Sequence, residues 1–119
     1  MGEVQLGAIE SRFADIIWEN EPISSSELAK RAEEQFGWKK TTSFTVLKRL
    51  CLKGLYRNDH GTVTSLVSRG EFYATRSKSF VEENFNGSLP AFFAAFTAGK
   101  KLSEDEIKEL KKIIDGTVR

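Results

Sequence analysis

The chain has 119 residues, and its 39% hydrophobic and 11% aromatic content supports a packed core and excludes general disorder. No stretch approaches the roughly 20 apolar residues that span a bilayer, and the first residues lack the pattern of a signal peptide. The single cysteine, Cys51, excludes an internal disulfide and fits a reducing compartment. We therefore expect a cytoplasmic protein with no membrane partner.

The first 37 residues predict two short helices. The first helix has an apolar stripe at helical spacing, made of Ile9, Phe13, Ile16 and Ile17. It ends before Pro22, because proline disfavours helix in the residue that precedes it. The second helix begins at a capping box, with Ser24 as N-cap and Glu27 three residues later, and it ends at Gly37.

A third helix and a hairpin are predicted next. The helix runs from about Thr41 to Lys53, and its inner side is expected to consist of Phe44, Leu47, Leu50 and Cys51. Two β-prone runs, 55–58 and 62–67, surround the turn-forming Asp59-His60-Gly61. Three short helices followed by a hairpin are the plan of a winged helix-turn-helix. We expect Trp18 and Trp38 to pack inside this head and Cys51 to be a buried, inert thiol.

Positive charge is concentrated in one part of the chain. Residues 1–36 have a net charge of −5, residues 37–60 of +5 and residues 61–119 of +1. The basic part coincides with the third helix and the turn. A local basic surface suits a polyanion, because each neutralised phosphate releases counterions. On charge alone, a solvated helix face is the alternative.

The C-terminal part is rich in phenylalanine. Six of the nine phenylalanines lie close together and are Phe72, Phe80, Phe85, Phe92, Phe93 and Phe96. A segment this short cannot bury six rings within itself, so we expect a partner surface. A last helix begins at a second capping box, Ser103 to Glu106, and its apolar stripe is Ile107, Leu110, Ile113 and Ile114. About three helices after the wing are expected to form a homodimer interface, the alternative being a monomer in which they fold back on the head.

Several motifs occur in one order along the chain and carry a family resemblance. They are Ile16-Ile17-Trp18, residues 24–28 (SSSEL), Gly37-Trp38, residues 42–54 (TSFTVLKRLCLKG), 66–69 (LVSR), 86–89 (NGSL) and 102–107 (LSEDEI). Over nearly the whole chain, roughly Gly7 to Ile114, the sequence resembles the penicillinase-repressor (BlaI/MecI/CopY) family of bacterial transcriptional regulators.

The resemblance implies a homodimer of winged helices, joined by C-terminal helical arms, that binds a near-palindromic double-stranded DNA operator and represses transcription. The expected fold is mostly α with a small β-hairpin, with a winged-helix DNA-binding domain over residues 1–70 and a helical dimerisation domain over residues 71–119.

The resemblance also implies two ways of relieving repression. In one branch of the family, a membrane sensor and protease system cuts the arm between Asn and Phe, and the matching pair here is Ala95-Phe96. In the copper branch, metal binds a C-terminal cysteine motif, and this chain has no cysteine after Cys51. The family's Trp-x-Pro-Lys/Arg-Thr entry to the third helix reads Trp38-Lys39-Lys40-Thr41-Thr42 here. The trigger and the operator sequence therefore stay open.

A helix in the major groove contacts base edges near its N-terminus and phosphates along its flanks. The candidates for base edges are Lys40, Thr41, Thr42 and Thr45. The candidates for phosphates are Lys39, Lys48, Arg49 and Lys53, and those on the wing are Arg57 and His60.

Other function classes receive little support from the sequence. No Ser, His and acid spacing typical of a nucleophilic triad occurs, and no glycine loop that cradles phosphate. His60 is the only histidine, so no histidine cluster can hold zinc. We expect no enzyme activity, cofactor or metal. The alternative to a DNA-binding repressor is a winged-helix protein-interaction module without specific DNA binding.

Overall fold

The computed structural model describes residues 6–117, which form helices and one small sheet. In chain order the elements are α1 (Ala8–Asn20), β1 (Ile23–Ser24), α2 (Ser25–Phe36), α3 (Lys40–Leu52), β2 (Tyr56–Asp59), β3 (Thr62–Ser65), α4 (Arg69–Phe85), α5 (Leu89–Thr97) and α6 (Glu104–Thr117). They divide into two compact units, the head up to Ser77 and the arm from Lys78 onward. Within residues 6–117, no helix is both long and apolar enough to cross a bilayer.

The first two helices begin and end as their capping residues predict. The Ser24 hydroxyl accepts a hydrogen bond from the Glu27 backbone N–H at 3.0 Å, and α2 ends at Gly37, whose φ of 71° is left-handed. The Glu27 carboxylate pairs with Arg31 at 2.9 Å, one turn later on α2. The α1 stripe is correct except at Ile9, which is exposed near the start of the helix.

The wing is an antiparallel hairpin of β2 and β3. His60 and Gly61 connect the strands with φ values of 53° and 93°, the two positive angles that a two-residue type I′ turn requires. The Asn58 side-chain oxygen accepts from the Gly61 N–H at 2.9 Å and closes the turn. The sequence predicts this hairpin but not β1, whose Ile23 pairs with Val63 and makes a three-stranded sheet of order β1-β3-β2.

The head has a continuous apolar core beneath α1, α2, α3 and the sheet. Its most deeply buried large side chains are Phe13, Ile17, Leu28, Leu50, Tyr56 and Val63. The Tyr56 hydroxyl donates to the Ala14 carbonyl oxygen at 3.0 Å, so this buried polar group is satisfied. Trp18 and Trp38 pack against this core as predicted, and the Trp18 indole donates to the Val67 carbonyl at 2.9 Å. The fold is thus a winged helix followed by helices.

Phe72 belongs to the head core and corrects one expectation from the sequence. It is 5% exposed, and its ring centroid lies 5.7 Å from that of Trp18 and 5.0 Å from that of Tyr73. The first turn of α4 packs on the head, so the compact head extends beyond the 1–70 domain expected from the sequence. The other five rings of the predicted partner surface lie outside this core.

The arm contains the end of α4 together with α5 and α6. Ser88 caps α5 by accepting from the Ala91 N–H at 3.1 Å, and Pro90 lies in its first turn. The second predicted capping box is present, with the Glu106 N–H donating to the Ser103 hydroxyl at 3.0 Å and the Ser103 N–H donating to the Glu106 carboxylate at 2.9 Å. The three helices expected after the wing are confirmed.

Candidate nucleic-acid interface

Helix α3 presents a polar face to solvent because another face is buried in the head. The buried positions follow helical spacing and are Ser43, Val46, Leu47 and Leu50. At about 100° per residue, the opposite positions are Thr41, Thr45, Lys48 and Leu52, and all four are exposed. The outer face of α3 thus combines hydroxyls with a cation, a combination that suits contacts in a major groove.

A groove connects α3 to the wing. It has a volume of about 460 Å³ and is lined by Ser25, Phe44, Leu47, Lys48, Cys51, Asn58 and Gly61. Lys48 comes from α3, Asn58 from β2 and Gly61 from the wing turn. A polyanionic chain that contacts Lys48 would therefore also lie beside the wing. Helix α3 and the wing, which together contain the basic segment, thus border one surface.

Most of the other predicted DNA-contacting residues are also accessible. Lys39 and Lys40 are exposed at the N-terminus of α3, and Lys53 is exposed at its C-cap. On the wing, Arg57 is exposed on β2, and the nearly fully exposed His60 has its Nε2 3.6 Å from an Asp59 carboxylate oxygen. Cations thus stand at both ends of α3 and on the wing.

Arg49 is engaged within the chain, which the sequence does not predict. Its guanidinium Nη1 lies 2.6 Å from a Glu10 carboxylate oxygen, because Arg49 occupies the flank of α3 that approaches α1. The other Glu10 oxygen accepts from the Gly7 N–H at 3.2 Å. Partial burial raises the pKa of Glu10, but the hydrogen bonds from Gly7 and Arg49 and the nearby charge of Lys53 outweigh it, so the net pKa is lowered. Glu10 is therefore ionised at neutral pH and offsets the charge of Arg49.

The three threonines differ in what they can offer a base. The Thr45 hydroxyl donates to the Thr41 carbonyl oxygen at 2.9 Å, which occupies its proton and leaves its methyl group and lone pairs exposed. Thr41 lies on the outer face of α3, whereas Thr42 lies on the same flank as Arg49. Thr41 and Thr45 are thus the best-placed hydroxyl side chains for a groove that α3 enters.

Two exposed apolar residues on α3 were missed by reasoning from the sequence. Phe44, predicted on the inner side, is 39% exposed, and Leu52 is 80% exposed. The reason is that Ser43, which is 1% exposed, occupies the core position. Because its side chain is polar, hydropathy does not identify Ser43, Val46, Leu47 and Leu50 as the buried face. The Lys40 ammonium lies 5.7 Å from the centroid of the Phe44 ring, within the range of a cation–π contact.

Cys51 is half-buried, not fully buried as predicted, because it lines the groove beside Phe44. Burial raises the pKa of its thiol, and a hydrogen bond involving the Asn58 backbone only partly offsets this. The thiol is therefore protonated at neutral pH and weakly nucleophilic.

The arm has an apolar surface of its own. The rings of Phe80, Phe85, Phe92 and Phe96 form a chain of contacts with centroids 5.5–6.2 Å apart, and yet Phe96 is 55% exposed. A groove of about 530 Å³ is lined by Phe92, Phe93, Phe96, Leu102 and Leu110, together with Asp105, Glu106 and Glu109. Of the α6 stripe, Ile107, Ile113 and Ile114 are exposed. Ala95 and Phe96 lie in the last turn of α5.

Within residues 6–117, no group of three or more His, Cys, Asp or Glu side chains is placed to hold a metal ion. The acidic residues Asp105, Glu106 and Glu109 beside the arm groove therefore do not form such a cluster.

The family comparison agrees with this architecture. Residues 6–116 match the family model described as penicillinase repressor. The chain is 29% identical over 115 residues to the penicillinase repressor of Bacillus licheniformis, covering 93% of this chain and 90% of that protein. It is 27% identical over 115 residues to the methicillin resistance regulatory protein MecI of Staphylococcus aureus, covering 93% and 94% of the two chains. The MecI protein of Mammaliicoccus sciuri is 26% identical with the same coverage.

Proposed function

The chain belongs to the penicillinase repressor family, and on that premise we propose that it is a dimeric, sequence-specific DNA-binding transcriptional repressor. It binds a near-palindromic double-stranded operator through α3 and the wing, and its arm joins two copies. A transcriptional regulator of this family is not an enzyme, so the candidate site is a binding surface.

The observation that carries the proposal is the single groove shared by α3 and the wing. Lys48 and Asn58 line it from the two elements, and the segment that supplies both, residues 37–60, has a net charge of +5. The remaining head residues before it are net acidic. This basic segment attracts a phosphate backbone to α3 and the wing.

The proposed contacts separate base reading from positioning. Lys40, Thr41, Thr42 and Thr45 contact base edges in the major groove, because they lie in the first turns of α3. The phosphate contacts come from Lys39, Lys48, Lys53, Arg57 and His60. Arg49 contributes less than Lys48, because Glu10 already holds it.

We also propose that the arm forms the homodimer. The surface of Phe80, Phe85, Phe92, Phe93, Phe96, Ile107, Leu110, Ile113 and Ile114 has no buried member in one chain. A second copy supplies the missing apolar contacts, and exposed patches of this kind mark association surfaces. In a dimer the two heads contact two half-sites. Binding of the first head therefore raises the effective concentration of the second head at its half-site.

Any trigger that disrupts the arm weakens operator binding, because two linked contacts become two independent ones. The Ala95–Phe96 bond lies within α5, and proteases cut preferentially at exposed segments outside regular secondary structure. Cleavage there by a sensor-linked protease therefore requires the end of α5 to unwind first. Release of the operator by cleavage would therefore depend on unwinding of the end of α5 as well as on the identity of the residue pair.

The proposal is tested by selecting bound sequences from random duplex DNA with the purified chain. An enriched inverted repeat is expected, with half-sites about one helical turn apart or a multiple of it. Light scattering should give twice the chain mass of 13.4 kDa. Binding that shows no sequence preference, together with a monomeric mass, would favour a protein-interaction module instead.

A further inference from the structure

Phe44 lies on α3 at a position where the head leaves its ring partly exposed. It is 39% exposed and lies outside the buried core cluster of the described residues, whose α3 members are Val46, Leu47 and Leu50. It lies in the second turn of a 13-residue helix, among residues proposed to face the operator. Exposing an aromatic ring at this position leaves favourable apolar burial unrealised in the free chain.

The surroundings of Phe44 restrict what can cover its ring. The Lys40 ammonium lies 5.7 Å from the ring centroid, and Lys48 lines the same groove. Two cations beside an apolar surface favour an anionic partner with a small apolar group. In the major groove of DNA, the 5-methyl of thymine is such a group, and phenylalanine is one of the side chains that contact it.

We propose that Phe44 is a specificity-determining residue that recognises a thymine methyl group in each half-site of the operator. The inference rests on the proposed function, since it requires α3 to enter the major groove. The inference assigns part of the base selection to an apolar side chain. The sequence alone attributes base selection to threonines and a lysine.

Thr41 and Thr45 are the rival readers, because a threonine methyl can also contact a thymine methyl. They lie on the outer face of α3, whereas Phe44 lies toward the wing, so the two possibilities predict different thymines. The Thr45 hydroxyl is fixed by its bond to the Thr41 carbonyl. Thr45→Ser therefore removes a methyl and retains the hydroxyl, which makes it a matched control.

The experiment uses the operator recovered by selection with the full wild-type chain. Each thymine of the half-site is replaced singly, and symmetrically in both half-sites, by deoxyuridine, which lacks only the methyl group. Affinities are measured for the wild type, Phe44→Ala, Phe44→Leu and Thr45→Ser, together with affinity for random duplex and the salt dependence of both.

One thymine is expected to be sensitive for the wild type. Losing one buried methyl costs about fourfold per half-site, or about fifteenfold for the doubly substituted operator. Phe44→Ala should bind the thymine and uracil operators equally, whereas Phe44→Leu and Thr45→Ser should keep the preference at that position. Affinity for random duplex and the salt slope should not change, because Phe44 carries no charge. Phe44→Ala should melt within about 4 °C of the wild type, which separates a reading role from a structural one.

The possible failures are distinguishable. If the wild type selects no site, the proposed function and this inference both fail. If a site is selected but its binding is indifferent to uracil, or if Phe44→Ala retains the thymine preference, only the role of Phe44 is overturned. Loss of the preference in Thr45→Ser with its retention in Phe44→Ala would assign the methyl contact to Thr45 instead.

Discussion

The head and the arm use their apolar residues in opposite ways. In the head, Phe13, Ile17 and Val63 have no exposed surface, and Tyr56 is 1% exposed. In the arm, none of the described residues from Lys78 to Thr117 is buried, although five phenylalanines lie there. The head therefore completes a core within one chain, whereas the arm leaves apolar surface available for association.

This difference separates two kinds of stability. Head stability should be a property of the single chain and independent of protein concentration. In the proposed dimer the apolar surface of the arm is covered only when two chains meet, so arm stability should depend on protein concentration. A substitution in one region should therefore leave the stability of the other unchanged.

The largest effect is expected from Phe13→Ala in the head core. Phe13 is fully buried and lies 5.3 Å from Trp38 between ring centroids, so its removal creates a cavity among packed side chains. The free energy of unfolding of the head should fall by about 3–5 kcal/mol. Urea unfolding followed by tryptophan fluorescence at two protein concentrations should show the same loss at both, since both tryptophans lie in the head.

The next effect is expected from Phe96→Asp in the arm. A carboxylate on this exposed apolar surface should weaken self-association by at least about 2 kcal/mol, or roughly thirtyfold in the dissociation constant. Sedimentation equilibrium measures it, and head unfolding should be unchanged. Ala91→Asp is the control, since it places the same charge on α5 away from the groove-lining residues. Equal weakening by both variants would refute a specific surface.

A smaller effect is expected from single cations of the head on DNA binding. Lys48→Ala should reduce the slope of log affinity against log salt concentration by about one, because one phosphate contact is lost. Arg49→Ala should reduce it by less, because Glu10 neutralises Arg49 at 2.6 Å. Lys78→Ala removes the same charge from the arm and serves as control. A larger change for Arg49 than for Lys48 would contradict the contact assignment.

The smallest effect concerns acid stability of the head. The pKa of Glu10 is lowered from its ordinary value of 4.5, so its ionised form stabilises the folded state above that value, and the contribution is lost as the pH falls through the lowered pKa. Glu10→Gln should be less stable than the wild type at pH 7 by under about 1 kcal/mol. The two stabilities should converge toward pH 3. A difference that grows on acidification would have the wrong sign.

Local signals made much of the fold predictable. Ser24, Gly37 and the Ser103–Glu106 pair act within one turn of helix, so their sequence spacing is enough to locate helix ends. The Asp59-His60-Gly61 turn is equally local, because a type I′ hairpin turn requires positive φ at its two central residues, His60 and Gly61 here. The order of helices, wing and arm follows from these ends.

The misplaced residues depend on non-local packing. The Arg49–Glu10 pair joins positions 39 residues apart, and nothing in the sequence couples them. Ser43 is buried in the core and Phe44 is exposed, which is the opposite of what their hydropathy predicts. Hydropathy alone therefore assigns the wrong face of α3 to the core. The phenylalanines that follow Phe72 in the sequence suggest that it belongs to the arm, whereas its ring packs on Trp18 in the head.

The most direct test of the division between head and arm is the mass of the protein–DNA complex, measured by light scattering on a duplex that contains one selected palindrome. Two wild-type chains per duplex are expected at concentrations where Phe96→Asp leaves most duplexes free or bound by a single chain. One wild-type chain saturating the palindrome, or Phe96→Asp filling both half-sites as tightly as the wild type, would contradict this division.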